Sequence, residues 1–379
     1  MKSPNFGLVA GEASGDLLAG LLLDGMRARW PELRAFGVGG PRMVERGFDA
    51  WHSSELLSVR GYLEVLPRLA QLIALRRKLG ARMLQERPDM FIGVDAPDFN
   101  FGLEARLRAG GIRTVHFVSP SFWAWRAEKL LKLKEAADHV LCIFPFEPEL
   151  LAQHGIESTY VGHPLANVIP MEPDRVAARE RLGLDAERPV LALLPGSRQS
   201  EVKHLAQRFF EASAHVQRSF PAMQFVVPAL PHLMQQLEAA ARIAGVGDAV
   251  KIVIGQSHDC LAACDVALVA SGTATLEAAL FKRPMVISYH MNRLSLKIMS
   301  GKKLQPWVGL PNILCRDFVV PELLQEHATP QALADAVIDW FKSPTKVQQL
   351  QQRFASMHLD LKRDTATIAA DAIQKILER

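Results

Sequence analysis

The chain has 379 residues, enough for two domains with cores of their own, and its ordinary hydrophobic and charged shares exclude a disordered or fibrous chain. A net charge of +4, from 44 basic against 40 acidic residues, is too small to imply a nucleic-acid partner without a local patch, and none is expected. No run reaches about 18 consecutive apolar residues, so no membrane span is expected.

At the N-terminus a single lysine, a short apolar strand and then Glu12 and Asp16 do not make the apolar stretch of a signal peptide. Cys142, Cys260, Cys264 and Cys315 form no CxxC or Cys/His cluster and read as reduced, buried thiols. A cytoplasmic location is expected.

In chain order, the first half offers strands at 6–11, 33–39, 90–95, 113–119, 139–144 and 158–162. Helical periods lie between them at Asp16–Arg29, Tyr62–Gln85, Asn100–Ala109 and Trp125–Ala136. Strand one runs into VAGEASGD (9–16), a small Gly-containing loop in which Ser14, Gly15 and Asp16 suit a helix start. The loop is either a tight turn only or a backbone cradle for a substrate group. It lacks the GxGxxG fingerprint of dinucleotide sites.

The third strand ends in GVDAPDFN (93–100), which places Asp95 at its carboxyl end. Asp95, or else Asp98, is a candidate general base; the competing reading of each is a turn or helix-capping aspartate.

HPLANVIPMEPD (163–174) breaks the rhythm with three prolines, which predicts a boundary between domains 1–165 and 175–345. The second half repeats the pattern with strands at 190–194, 224–230, 250–255, 266–271 and 284–289. The tail from Pro330 reads as two or three helices. Residues 346–379 are expected to pack across the domain junction or on a partner chain, which makes a homodimer plausible.

Continuous apolar strands alternating with helices predict an α/β fold of two Rossmann-like, doubly wound domains facing across a cleft. In such sheets ligands bind outside the carboxyl ends of the strands.

Two loops of the second half stand out. VLALLPGSR (190–198) and SGTATLE (271–277) each read as strand, tight turn and helix start. The helix starts at Ser197 and at Ser271, Gly272 and Thr273 would offer backbone N–H groups to a diphosphate. Arg198 adds a planar cationic fork, and Glu277 can accept bonds from ribose hydroxyls. Asp-x-Asp and HExxH patterns are both missing, so no metal and no cofactor are expected.

Within 62–82, apolar residues recur at helical spacing among Arg68, Arg76, Arg77, Lys78 and Arg82. Either this helix packs on its sheet with a solvated basic face, or it lies on an anionic membrane surface. Trp123 and Trp125 are a second anchor candidate, or a buried pair.

VAGEASGD (9–16), GVGGPRM (37–43), GYLEVL (61–66), GVDAPDFN (93–100), VSPSFWAWR (118–126), VGHPLA (161–166), LPGSR (194–198), SGTATLE (271–277) and LPNIL (310–314) follow one another as in a single family. With these segments the chain resembles the lipid-A-disaccharide synthases, inverting glycosyltransferases of bacterial lipid A assembly.

The resemblance implies a GT-B fold, UDP-2,3-diacylglucosamine as donor and 2,3-diacylglucosamine 1-phosphate as acceptor. The products would be a β-1,6-linked tetraacyl disaccharide 1-phosphate and UDP. It implies Asp95 as catalytic base, Arg198 as a functional arginine, Glu277 at the nucleotide ribose and Asn312 as a substrate contact. Acylated substrates imply peripheral work at the cytoplasmic face of the inner membrane. The rival readings are a sugar-nucleotide 2-epimerase on a similar scaffold and a non-enzymatic nucleotide or lipid sensor.

Overall fold

Short apolar runs bounded by Gly, Pro and polar turns become buried parallel strands in this chain, because helices cover both faces of each sheet. The computed structural model describes residues 3–57, 62–122, 128–290 and 305–379. The first sheet contains β1 (Asn5–Ala10), β2 (Arg34–Gly39), β3 (Asp49–Ser53), β4 (Met90–Val94), β5 (Arg113–Phe117), β6 (His139–Cys142) and β7 (Ser158–Tyr160). Their order across the sheet is β3-β2-β1-β4-β5-β6-β7.

The second contains β8 (Val190–Leu194), β9 (Gln224–Ala229), β10 (Val250–Ile254), β11 (Val266–Ala270), β12 (Met285–Tyr289) and β13 (Glu322–Leu324), in the order β10-β9-β8-β11-β12-β13. Every pairing is parallel. The expected doubly wound α/β class is therefore what the chain forms.

Each sheet reverses its winding once, between β1 and β4 in the first and between β8 and β11 in the second. At such a switch point the connecting helices leave to opposite faces, so the loops at the strand ends part and leave a crevice. Register fixes which loops meet there. Ala10 is level with Val94, and Leu194 with Val269.

The chain divides into one unit of residues 1–167 and 360–379 and another of 168–359. The tail forms three helices, Pro330–Lys342, Pro344–Leu361 and Thr365–Leu377. The last belongs to the first unit and packs on helix Glu12–Arg29. Gly25 permits that contact: a Cβ there would stand 2.1 Å from the Ala366 carbonyl oxygen, so the two backbones touch. Arg29 adds bonds to Asp371 and Gln374.

Several boundaries differ from the sequence reading. Strands β3 and β13 were not expected; both are short edge strands with at most half-buried residues, so neither shows an apolar run. Helix 12–29 starts at Glu12 rather than Asp16, and the helix expected from Asn100 is Pro97–Ala109, with Pro97 in the first turn where its missing N–H costs nothing. Of the helix expected at Trp125–Ala136, Glu128–Ala136 is helical; Trp123 and Trp125 lie outside the described residues.

Candidate active site

In the second unit, the loops after β8 and β11 open at the switch point and carry the expected phosphate-binding residues. After β8, Gly196 adopts φ +118°, and a Cβ there would meet Glu201 at 2.5 Å. Only glycine lets Glu201 fold back over the start of helix Gln199–Ser219. Its carboxylate accepts from the Ser197 N–H at 3.1 Å and the Arg198 N–H at 3.3 Å. These two amides, expected to be open to an anion, are thus already satisfied by the protein's own carboxylate.

The Arg198 side chain is 73% exposed and touches Glu201 only at 3.4 Å, so its guanidinium is largely open to solvent.

After β11, Ser271 is tied into the framework. Its N–H donates to Ser288 and its hydroxyl to the Val308 carbonyl. Gly272 and Thr273 are exposed, and no heavy atom lies within 4 Å of where a Gly272 Cβ would stand. Helix Thr273–Leu280 begins there without a side-chain cap; the Thr275 N–H donates to the Gly272 carbonyl at 3.1 Å, and among the described residues the Thr273 and Ala274 N–H groups are left for an outside partner. Of the two helix starts, this one is the less occupied by the protein's own groups.

About one turn into that helix Glu277 is mostly buried, 3.9 Å from His258 Nε2 on helix Ser257–Ala263. Burial pushes the Glu277 carboxyl above the usual carboxylate range, while His258 acts in the opposite direction. His258 was not singled out in the sequence, where a lone histidine two residues past a turn carries no signal.

Asn312 departs from the expected direct contact. It is fully buried, exchanges two hydrogen bonds with Val320 and donates to Glu322. Glu322 in turn accepts from the Val308 and Gly309 N–H groups, and Leu310 N–H donates to Thr275. Asn312 thus braces the segment against which Ser271 and Thr275 are held.

In the first unit, Asp95 follows β4 at the switch point. Asp95 and Ala96 are both left-handed, with φ of +52° and +43°. Two successive non-glycine residues in that region cost about 1–2 kcal/mol each. Val118, a β-branched residue at the adjoining end of β5, has φ +78°. Strain of this kind gathers where a loop must present a group in one direction.

The Asp95 N–H donates to Phe117 and its carbonyl accepts from Asn100 Nδ2 at 2.8 Å. Its carboxylate is half-exposed and, among the described residues, has no hydrogen-bond or ionic partner. Asp98 differs: it is 85% exposed in the first turn of helix 97–109 and pairs with Lys129 at 3.2 Å. The helix-end reading fits Asp98, and Asp95 is the uncommitted carboxylate.

The β1 loop lies against this turn. A Cβ on Gly11 would approach the Ala96 Cβ to 3.0 Å, and one on Gly15 the Val94 carbonyl to 3.6 Å. Ser14 is exposed and Gly15 buried, both inside the first turns of helix 12–29 rather than before it. Asp16 does not cap its own helix. Its carboxylate accepts from the N–H groups of Gly40, Arg42 and Met43, so it caps the short helix Pro41–Val44.

Known proteins can be set beside this geometry. The model of the family described as lipid-A-disaccharide synthetase matches residues 6–376. The chain is 61% identical over 376 residues to the lipid-A-disaccharide synthase of Albidiferax ferrireducens, covering 98% of this chain and 97% of that one. It is 56% identical to that of Verminephrobacter eiseniae, covering 100% and 98%, and 48% identical to that of Bordetella pertussis, covering 99% of each. The chain belongs to the lipid-A-disaccharide synthase family.

Among solved structures, a glycosyltransferase from Rickettsia africae shares the fold at a TM-score of 0.60 and 10% identity, covering 100% of this chain and 98% of that one. A putative UDP-N-acetylglucosamine 2-epimerase from Listeria monocytogenes does so at 0.66 and 12%, covering 100% and 96%. At such identities these likenesses show the GT-B architecture alone. The epimerase rival keeps the scaffold but loses the case for its chemistry, because the family match spans the chain.

The segment 62–82, read in the sequence as either a sheet-packed or a membrane-facing helix, lies in the helix Tyr62–Glu86. Its later half serves the first unit: Leu79 and Met83 are buried on the sheet, Arg82 stacks 3.6 Å over Trp51, and Arg76 reaches the Asp98 carbonyl. Arg77 and Lys78 remain exposed, as does Leu69. The side chains of 62–68, including Arg68, lie outside the described residues. Among the described residues no helix is long and apolar enough to cross a membrane.

Proposed function

We propose that this chain transfers 2,3-diacylglucosamine from UDP-2,3-diacylglucosamine to the 6-hydroxyl of 2,3-diacylglucosamine 1-phosphate, with inversion. The full-length family match carries this reading. It is supported by the placement of each half's ligand-directed groups at its own sheet's switch point.

In this reading the second unit holds the nucleotide. Glu277 accepts from the ribose hydroxyls, and Arg198 with the open start of helix 273–280 takes the diphosphate. The first unit presents the base. The acceptor hydroxyl attacks the anomeric carbon from the face opposite UDP, its proton passes to Asp95, and the C–O bond to UDP breaks with the electron pair leaving on the diphosphate. Negative charge that grows on UDP is met by Arg198 and the helix amides.

Gly15, close to the Val94 carbonyl before the Asp95 turn, and its exposed neighbour Ser14 line the acceptor's approach. Acyl chains on both substrates place the reaction at a membrane surface. Arg77, Lys78 and Leu69 supply the peripheral contact, each basic group contributing about 1 kcal/mol at an anionic surface.

UDP should be released from the diacylated donor only when the monosaccharide phosphate acceptor is present, with formation of the tetraacyl disaccharide. Release without acceptor, or epimerisation of UDP-N-acetylglucosamine, would overturn the reading.

Glu277 gives a pH-dependent expectation. Its folded-state pKa is raised above the unfolded value, so its contribution to stability is present below the unfolded pKa and is lost as pH rises through the folded one. Glu277→Gln should therefore melt above wild type at about pH 8, the difference vanishing towards about pH 4. The same variant should bind UDP about tenfold to a hundredfold more weakly at about pH 8, because a charge-assisted bond is worth about 1.5–3 kcal/mol. Calorimetric titration with UDP and thermal melts across pH check both; undiminished affinity would remove Glu277 from the ribose.

A further inference from the structure

Behind the Asp95 turn lies a polar stack that the transfer chemistry leaves unused. Asn100, Glu104 and His116 are fully buried. Asn100 and Glu104 sit one turn apart on helix 97–109, and His116 is on β5, one residue before the Phe117 carbonyl that receives the Asp95 N–H.

The Asn100 amide points at three carbonyls at once: Asp95 at 2.8 Å, Val9 at 3.3 Å and Val94 at 3.5 Å. These stand at the ends of β1 and β4, the two strands that flank the switch point. Glu104 bonds His116 Nδ1 at 2.7 Å and so ties the helix to β5. Gly93 makes room for the stack, since a Cβ there would stand 2.0 Å from Glu104 Oε1 and 3.1 Å from the Asn100 Cβ.

Apolar side chains of similar volume would fill this space without unpaired polar atoms. Instead Asn100 Oδ1, Glu104 Oε2 and His116 Nε2 have no partner among the described residues. Such a set is costly as packing and useful as geometry, because directional bonds select one arrangement of the groups they join. The arrangement selected is the left-handed pair Asp95–Ala96. Aspartate tolerates that region better than most residues but alanine has no preference for it, and among the described side chains Asn100 alone fixes the Asp95 carbonyl.

We propose that Asn100, Glu104 and His116 are positioning residues for the deprotonating aspartate: Asn100 clamps the left-handed turn that aims Asp95, and the Glu104–His116 pair fixes the helix that carries the clamp. This rests on the reading of Asp95 as the base.

Asn100→Leu, normalised to the fraction competent to bind UDP, should lower kcat about a hundredfold while KM and UDP affinity hold, since a misplacement of about 1 Å is enough for such a loss. Glu104→Gln, which keeps a bond to His116, should stay within about threefold of wild type, whereas Glu104→Leu should follow Asn100→Leu. Adding Ala96→Gly to Asn100→Leu should restore kcat about tenfold, because glycine enters the left-handed region without penalty.

In an Asp95→Asn background, Asn100→Leu should cost nothing further. A normal kcat in Asn100→Leu beside an inactive Asp95→Asn sinks this proposal alone, as do failed rescue by Ala96→Gly and an equal loss in the Asp95→Asn background. An active Asp95→Asn would instead remove the base reading on which it stands. Should Asn100→Leu not fold, the Glu104 pair is judged by the same ratio.

Discussion

Asp95→Asn is expected to lower kcat by about 10²–10⁴, the usual worth of a positioned general base, with UDP affinity unchanged within about twofold. The substitution is isosteric and removes only the capacity to take a proton. The carboxylate has no cation or donor to lose among the described residues, so the change leaves no stranded partner.

The backbone bonds that hold the turn, from Asp95 N–H to Phe117 and from Asn100 to the Asp95 carbonyl, are untouched. Stability should therefore stay within about 0.5 kcal/mol of wild type. UDP binding is assigned to residues of the other unit, which gives the split between kcat and UDP affinity its force. Asp98→Asn is the matched control: it breaks only an exposed pair with Lys129, worth about 0–1 kcal/mol, and should leave kcat nearly unchanged. Reversal of the two results would move the base by three residues.

The sequence made much of this legible, for physical reasons that also mark where it stopped. Most of the eleven expected strands declared themselves because parallel strands covered on both faces must be apolar throughout, while the edge strands β7 and β10 did so through runs of β-formers such as STY and VKIVI. β3 and β13 escaped because edge strands such as DAWHS need no buried face. Asp95 and Arg198 stood out as candidates because they are polar residues just beyond apolar strands, and Glu277 as an acidic residue in the helix that follows one.

The roles of Asp16, Glu201 and Asn312 were not visible in this way, since a side chain that bonds its own backbone looks, in sequence, like one reserved for a ligand. Each proved to be spent inside the fold. Gly196, Ser197 and Glu201 held the one available hint, a glycine followed by a polar helix start and a glutamate three residues beyond Arg198, the position from which a carboxylate can reach back to the first N–H groups of a helix.

That cap changes what is expected of Arg198. With the Ser197 and Arg198 amides donating to Glu201, helix 199–219 offers a diphosphate less than an empty helix end would, and Glu201 adds a carboxylate beside it. On the proposed reading the anion is then held by the open start of helix 273–280 and by the guanidinium of Arg198.

Arg198→Ala should therefore lower kcat/KM by about 10²–10³, the loss seen when one preorganised donor to a developing oxyanion is removed. Arg198→Lys should recover only part of this, because a point charge replaces the two-pronged fork. Neither should change the melting temperature appreciably, as the side chain is 73% exposed and its contact with Glu201 is long.

Steady-state kinetics with the diacylated donor, together with UDP titrations, measure the effect. A larger loss in kcat than in UDP affinity would place the arginine on the leaving group as charge develops, and equal losses would make it a ground-state anchor. Unchanged kcat/KM in Arg198→Ala would leave the diphosphate to helix 273–280 alone, and the β8 loop would lose its part in binding the leaving group.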